Sequence, residues 1–171
     1  GALRAAASSA NNFTAEPVGA LVDSAVVIGE QKAVLIDAQL TAPNAARLAD
    51  VIAATGRTLE TIYITHMHPD HHLGLSAILS RFPDAKPVAH PLVQSQISAA
   101  ARWMLSSMRR GAPAGTYVDR VSIPEPLKGD AILLEGERIE VLEPMHGDTD
   151  LVSAVHIPDL DKLVARHYLY S

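Results

Sequence analysis

The chain has 171 residues, 48% of them hydrophobic and 19% charged, which suits one compact domain and is short for two. Fourteen Lys and Arg against nineteen Asp and Glu give a net charge of -5, and the positive residues are scattered apart from Arg109 and Arg110, so no nucleic-acid partner is expected. The absence of cysteine excludes disulfides and thiolate metal sites; no apolar run approaches the ~20 residues of a membrane span or forms a signal peptide, so no membrane partner is expected and the compartment stays open, with the cytoplasm favoured.

Residues 1–15 read as a flexible arm ahead of a domain over 16–171. ALVDSAVVIG and KAVLIDA predict two strands around a turn at Glu30 and Gln31, the second ending in Asp37. TAPNAARLADVIAATG predicts a helix with Thr41 as N-cap, Pro43 in its first turn, a buried face of Ala45, Leu48, Ala49 and Ile52, and a stop at Gly56. LETIYIT is the next strand, the histidine-rich stretch after it is a loop, and LSAILSRF is a helix ending before Pro83. KPVAH is a short strand, and Val93, Ile97, Ala101, Met104, Leu105 and Met108 recur at helical spacing up to Arg110. AILLEG and RIEVLEP form a second hairpin, a loop carries His146, and LVSAVHIP and KLVARHYLY are strands separated by DLD. Hairpins leading into a βαβα run predict an α/β fold, a mixed sheet with helices packed on it.

The stretch YITHMHPDHHLG, residues 63–74, carries the chemistry. Side chains two apart in extended chain point the same way, so His66 and His68 can meet one ion, while Pro69 turns the chain and places Asp70 and His71 as a second pair nearby. Imidazole and carboxylate are donors for zinc, and less selectively for iron or manganese. The best third imidazole is His146 in EPMHGDTD, which also follows a strand. Asp37, Asp148 and Thr149 are candidates for fixing imidazole orientation; ordinary turn capping competes for all three and is favoured for Thr149. His72 reads as a loop or helix-start residue and not a ligand, and His90 and His156 read as structural.

These residues resemble a family. THMHPDHHLG is similar to the HxHxDH signature of the metallo-β-lactamase-fold hydrolases, AVLIDA to the Asp-ended strand that precedes it, and MHGDTD to the later loop with a single His ligand. The resemblance implies an αββα sandwich of mixed sheets flanked by helices, with His66, His68 and His146 on a first metal and Asp70 and His71 on a second. It also implies a zinc-dependent hydrolase of a small-molecule ester, lactone, thioester or β-lactam-type acyl bond, in which a metal-bound hydroxide attacks and Asp70 orients the water or holds the second ion. The C-terminal part departs from the pattern: KLVARHYLYS puts Arg166 and His167 where the family carries Gly-Asp, and no later His follows. A truncated fragment, residues joined across an absent segment, and a short variant completed by dimerisation or strand exchange all remain open. The alternative function is a metal-binding but catalytically impaired domain that serves as an interaction or assembly module.

Overall fold

A computed structural model of the chain describes residues 4–5, 13–14, 23–147, 149 and 151–165. Its elements are β1 (Arg4–Ala5), β2 (Phe13–Thr14), β3 (Asp23–Ile28), β4 (Lys32–Ile36), α1 (Ala42–Ala54), β5 (Thr58–Ile64), α2 (Pro69–His72), α3 (Leu75–Arg81), β6 (Lys86–Ala89), α4 (Pro91–Arg109), β7 (Glu125–Pro126), β8 (Ala131–Leu134), β9 (Glu137–Val141), β10 (Val155–Ile157) and β11 (Lys162–Val164). One sheet has the order β1-β3-β4-β5-β6-β7 with β2 also on β3, and the other has the order β11-β10-β9-β8. β4, β5, β6 and β7 run parallel, joined by α1, by α2 with α3, and by α4.

Period-two alternation sets the layers. On β4, Ala33 and Leu35 face the helices with Val26, Ile62 and Ile64, while Val34 and Ile36 face the second sheet with Ala25, Val27 and Tyr63. Leu48 and Ile52 of α1, Leu75 and Ile78 of α3, and Val93, Ile97 and Ala101 of α4 close the helical side. Ile132, Leu134, Ile139, Val141, Val155 and Ile157 close the other. The molecule is therefore a mixed α/β sandwich with helices on the outer face of the larger sheet. Among the described residues no α-helix joins the second sheet, and Leu133 and Leu163 on its outer face are exposed.

Several elements differ from expectation. Within the segment read as an arm, Arg4–Ala5 and Phe13–Thr14 pair antiparallel with β3, whose edge would otherwise present unpaired N–H and C=O groups; the rest of residues 1–15 lies outside the described residues. The histidine loop contains a helical turn, α2, because Pro69 at its start presets the helical φ. LVSAVHIP is a strand only over β10: before it, Val152 bridges to both Met145 and His66, and the Ser153 N–H donates to the Thr65 carbonyl, so the chain leaves its own sheet for the end of β5. KLVARHYLY is a strand over β11, with Arg166 and His167 outside the described residues.

One carboxylate ties the sheets together. Glu135 and Gly136 both have positive φ, 54° and 92°, as a two-residue type I′ hairpin turn requires. From that turn the Glu135 carboxylate accepts from the N–H groups of Glu30 (2.6 Å) and Gln31 (2.7 Å) in the β3–β4 turn and of Lys32 (2.8 Å) at the start of β4. The N–H groups of Gln31 and Glu30 hold its pKa below the usual carboxylate range. A Cβ on Gly29 would lie 2.4 Å from its Oε2. Thermal denaturation of Glu135→Ala and Gly29→Ala is expected to show a lowered Tm for each, and a double variant no worse than the worse single. Additive losses would mean that the two residues act separately.

Candidate metal centre

The site lies at the carboxyl ends of the parallel strands, where open α/β sheets leave a crevice for ligands. Asp37 follows β4, His66 follows β5, and His90 follows β6. Asp37 and Gln39 have φ of 64° and 72°, a left-handed conformation that costs ordinary residues energy and that Asp tolerates better than most. Hydrogen bonds hold this turn: Asp37 N–H to the Tyr63 carbonyl (2.9 Å), Ala38 N–H to the His71 carbonyl (2.7 Å), Gly74 N–H to the Gln39 carbonyl (2.8 Å), and the Gln39 side-chain amide to the Ser24 hydroxyl (2.8 Å).

The bent turn delivers the Asp37 carboxylate, fully buried, to the histidines. Oδ1 accepts from the Thr65 N–H at 2.9 Å, Oδ2 accepts from His71 Nδ1 at 2.9 Å, and the Thr65 hydroxyl donates to the same carboxylate at 2.9–3.0 Å. The Thr65 Oγ1 also lies 2.9 Å from His66 Nδ1. Because the single hydroxyl proton goes to Asp37, His66 Nδ1 must donate to Oγ1. One carboxylate thereby orients two imidazoles, His71 directly and His66 through Thr65, with the Nδ1–H of each donating and Nε2 turned to the site.

His66, His68 and His71 cluster, with ring centroids of His66 5.0 Å from His68 and 4.0 Å from His71. Asp70 Oδ2 lies 3.4 Å from His71 Nε2, and the Asp70 side chain is 22% exposed, so it faces the opening. Burial opposes charge on His71, but Asp37 and Asp70 outweigh it and raise its pKa to about 9. Burial likewise opposes charge on Asp70, and His71 outweighs it, lowering Asp70 to about 2. Carboxylates on both sides of one imidazole favour a positive charge at this spot, and the donors are nitrogen and oxygen only. The chemistry of the set fits a zinc-type cation.

His146 sits exposed on the neighbouring loop, next to Met145, which bridges through Val152 to His66. Among the described residues, no three His, Asp or Glu side chains as they stand form a group that could hold a metal ion. Asp148 lies outside the described residues. Thr149 makes a turn: its hydroxyl donates to the Leu151 carbonyl at 3.2 Å and its own carbonyl accepts from Gly147. His72 is buried, which lowers its pKa to about 4, and its Nε2 donates to the Met67 carbonyl at 3.1 Å. His90 caps α4, accepting from the Leu92 N–H, and His156 pairs with Glu140 at 3.0 Å.

Sequence reasoning missed Thr65, Tyr63 and Ser153. The Ser153 hydroxyl donates to the Thr65 carbonyl at 2.8 Å, so the buried Tyr63 hydroxyl donates to Ser153 at 2.7 Å, fastening the segment after His146 to the end of β5. The only available signal was a hydroxyl residue directly before the HxH pair. Tyr63→Phe is expected to lower stability by about 1 kcal/mol, read as a Tm drop of roughly 2–4 °C. An unchanged Tm would show that this hydroxyl is not part of the fastening.

Comparison with known proteins adds the lineage. The family model described as the metallo-beta-lactamase superfamily matches residues 18–164. Mitochondrial ribonuclease Z of Drosophila melanogaster is 46% identical over 37 residues, which are 22% of this chain and 5% of that protein. The B3 metallo-beta-lactamase BLEG-1 superposes with a TM-score of 0.62 at 14% identity over 93% of this chain and 77% of its own. A double mutant of the sec-alkyl sulfatase PisA1 superposes with a TM-score of 0.59 at 16% identity over 82% of this chain and 27% of its own.

Proposed function

We propose, from the premise that this chain belongs to the metallo-beta-lactamase superfamily, that it is a metal-dependent hydrolase acting on a small-molecule ester, lactone, thioester or β-lactam-type acyl bond. The observation that carries the reading is the Asp37 carboxylate, which orients His71 directly and His66 through Thr65. His66 and His68, with His146 from the neighbouring loop, would hold one ion, and Asp70 with His71 a second. Zinc suits these donors best, and iron or manganese are the alternatives. When bound, such an ion would polarise a carbonyl oxygen and make water a usable nucleophile near neutral pH.

The chain's own residues do the rest. Asp37 and Thr65 keep two imidazoles in one orientation, with the Nδ1 of each turned inward. Asp70, at the opening and held ionised by His71, would orient an incoming water or hold the second ion through its carboxylate.

The test is turnover of a chromogenic ester, a lactone and a cephalosporin by the zinc-loaded full chain. A phosphodiester belongs in the panel because of the partial likeness to a ribonuclease. At least one substrate is expected to turn over, and the His66→Ala/His68→Ala variant to lose roughly 10²-fold or more of that rate. The second reading, an impaired domain acting as an assembly module, rests on Arg166 and His167 standing where the family pattern carries Gly-Asp. Zinc binding without turnover of any of the four substrates would favour it.

A further inference from the structure

A cleft of ≈ 540 Å³ opens between the C-terminal half of α4 and the segment 119–121, and none of its lining residues belongs to the histidine turn. Its rim carries Arg102, Arg109, Arg110 and Arg120 against a single carboxylate, Asp119, a surplus of three positive charges on a chain whose net charge is -5. The linear sequence shows only the pair at 109 and 110. The fold adds Arg102 from two turns earlier on α4 and Arg120 from the following loop.

Two of the four arginines have structural work. Arg109 pairs with Asp119 at 3.1 Å and donates to the Asp119 carbonyl, which holds the loop against the helix, and Arg110 donates to the Ser107 hydroxyl at 2.7 Å. The negative end of the α4 dipole also favours cations at 109 and 110. Neither reason reaches Arg102, well inside the helix, or Arg120, on a separate segment. Among the described residues these two make no ion pair. Both are solvent-exposed and solvated by water, so what sets them apart is the convergence of four guanidinium groups on one cleft.

The walls supply a ligand class. Guanidinium forks match the oxygens of phosphate groups. Leu105 and Val121 give an apolar surface for an uncharged body between them. The volume falls within the roughly 300–1,000 Å³ of small-molecule sites. Leu105 packs against Leu73, the residue that follows the histidine turn, so an occupant would sit one side chain away from α2. We propose that this cleft is a binding site for a small organic phosphate with two or more negative charges and a ring or other apolar body, separate from the metal centre.

Isothermal titration calorimetry of the full chain tests this with three probes: ADP, which has charge and a ring body, inorganic pyrophosphate, which has charge alone, and adenosine, which has the body alone. The titrations are run on the protein as purified and again after dialysis against the uncharged chelator 1,10-phenanthroline, which removes binding through a metal. ADP is expected to bind one per chain in both states, more tightly than pyrophosphate, with adenosine silent. Arg102→Ala/Arg120→Ala is expected to weaken ADP at least tenfold with Tm and zinc content unchanged, since neither side chain holds the fold. ADP binding that vanishes with the chelator, or that the double variant retains, overturns the proposal. So does a single-stranded RNA that binds more tightly than ADP and loses its binding in the same variant, because the surface would then serve a nucleic acid.

Discussion

Asp37→Ala is expected to lower zinc affinity by about 10–100-fold and to cost about 3–5 kcal/mol of stability, a Tm drop of roughly 6–20 °C. The carboxylate is fully buried and accepts from the Thr65 N–H, the Thr65 hydroxyl and His71 Nδ1. Its removal strands three buried donors, one of them on the His71 imidazole, whose positive charge it also balances. His71 then loses the partner that outweighs its burial, and Thr65 loses the acceptor that fixes its proton, so the His66 tautomer is no longer set. Asp37→Asn separates the parts of this effect. Asparagine tolerates the left-handed φ of 64° and keeps the shape, so it should lose less stability than alanine. An amide cannot accept from all three donors, so its zinc affinity should fall nearly as far. Chelator-competition titration and thermal denaturation of both variants check this; an Asn variant with full zinc affinity would show that the charge on Asp37 does not organise the histidines.

Gly74→Ala is expected to damage both fold and site although the residue carries no functional group. A Cβ there would lie 2.4 Å from the Ala38 carbonyl oxygen, 2.8 Å from that of Gln39 and 2.9 Å from the Ala45 Cβ. Two of those atoms are backbone in the strained turn that presents Asp37, and the Gly74 N–H is itself bonded to Gln39. Nothing flexible can move aside. Either α2 and α3 or the turn must shift, with a cost of about 2–4 kcal/mol and a Tm lower by roughly 4–16 °C. Because α2 carries Asp70 and His71, zinc affinity should fall together with Tm. A Gly74→Ala protein with normal Tm and normal zinc binding would mean that the close approach of the two segments does not position the site.

The parts of this fold written in local pattern were legible in advance. Helix α1 starts after Thr41, whose side chain accepts from the Asn44 N–H, and it buries the predicted Ala45, Leu48, Ala49 and Ile52. Helix α4 buries Val93, Ile97, Ala101 and Leu105, while Met104 and Met108, on the same apolar stripe, are only partly covered. The spacing of His66 and His68 does bring their rings together, as alternation in extended chain requires. What could not be read was anything that depends on two segments meeting. The role of Thr65 exists only because β4 and β5 lie side by side, and the Tyr63 to Ser153 contact spans 90 residues. The need for glycine at 74 comes from the backbone at 38 and 39, and the arginine cleft from a loop folding back on α4. LVSAVHIP looked like one strand because its apolar residues are continuous, yet half of it is drawn to the end of β5 by Val152 and Ser153.

The most direct measurement is the zinc content of tag-free protein after gel filtration, by mass spectrometry of the metal, in the parent chain and in His66→Ala/His68→Ala. The parent should carry at least one zinc ion per chain and the variant close to none at equal folding by circular dichroism. A parent chain with well under one zinc ion, or a variant that keeps its zinc, would contradict a metal centre built on this histidine turn.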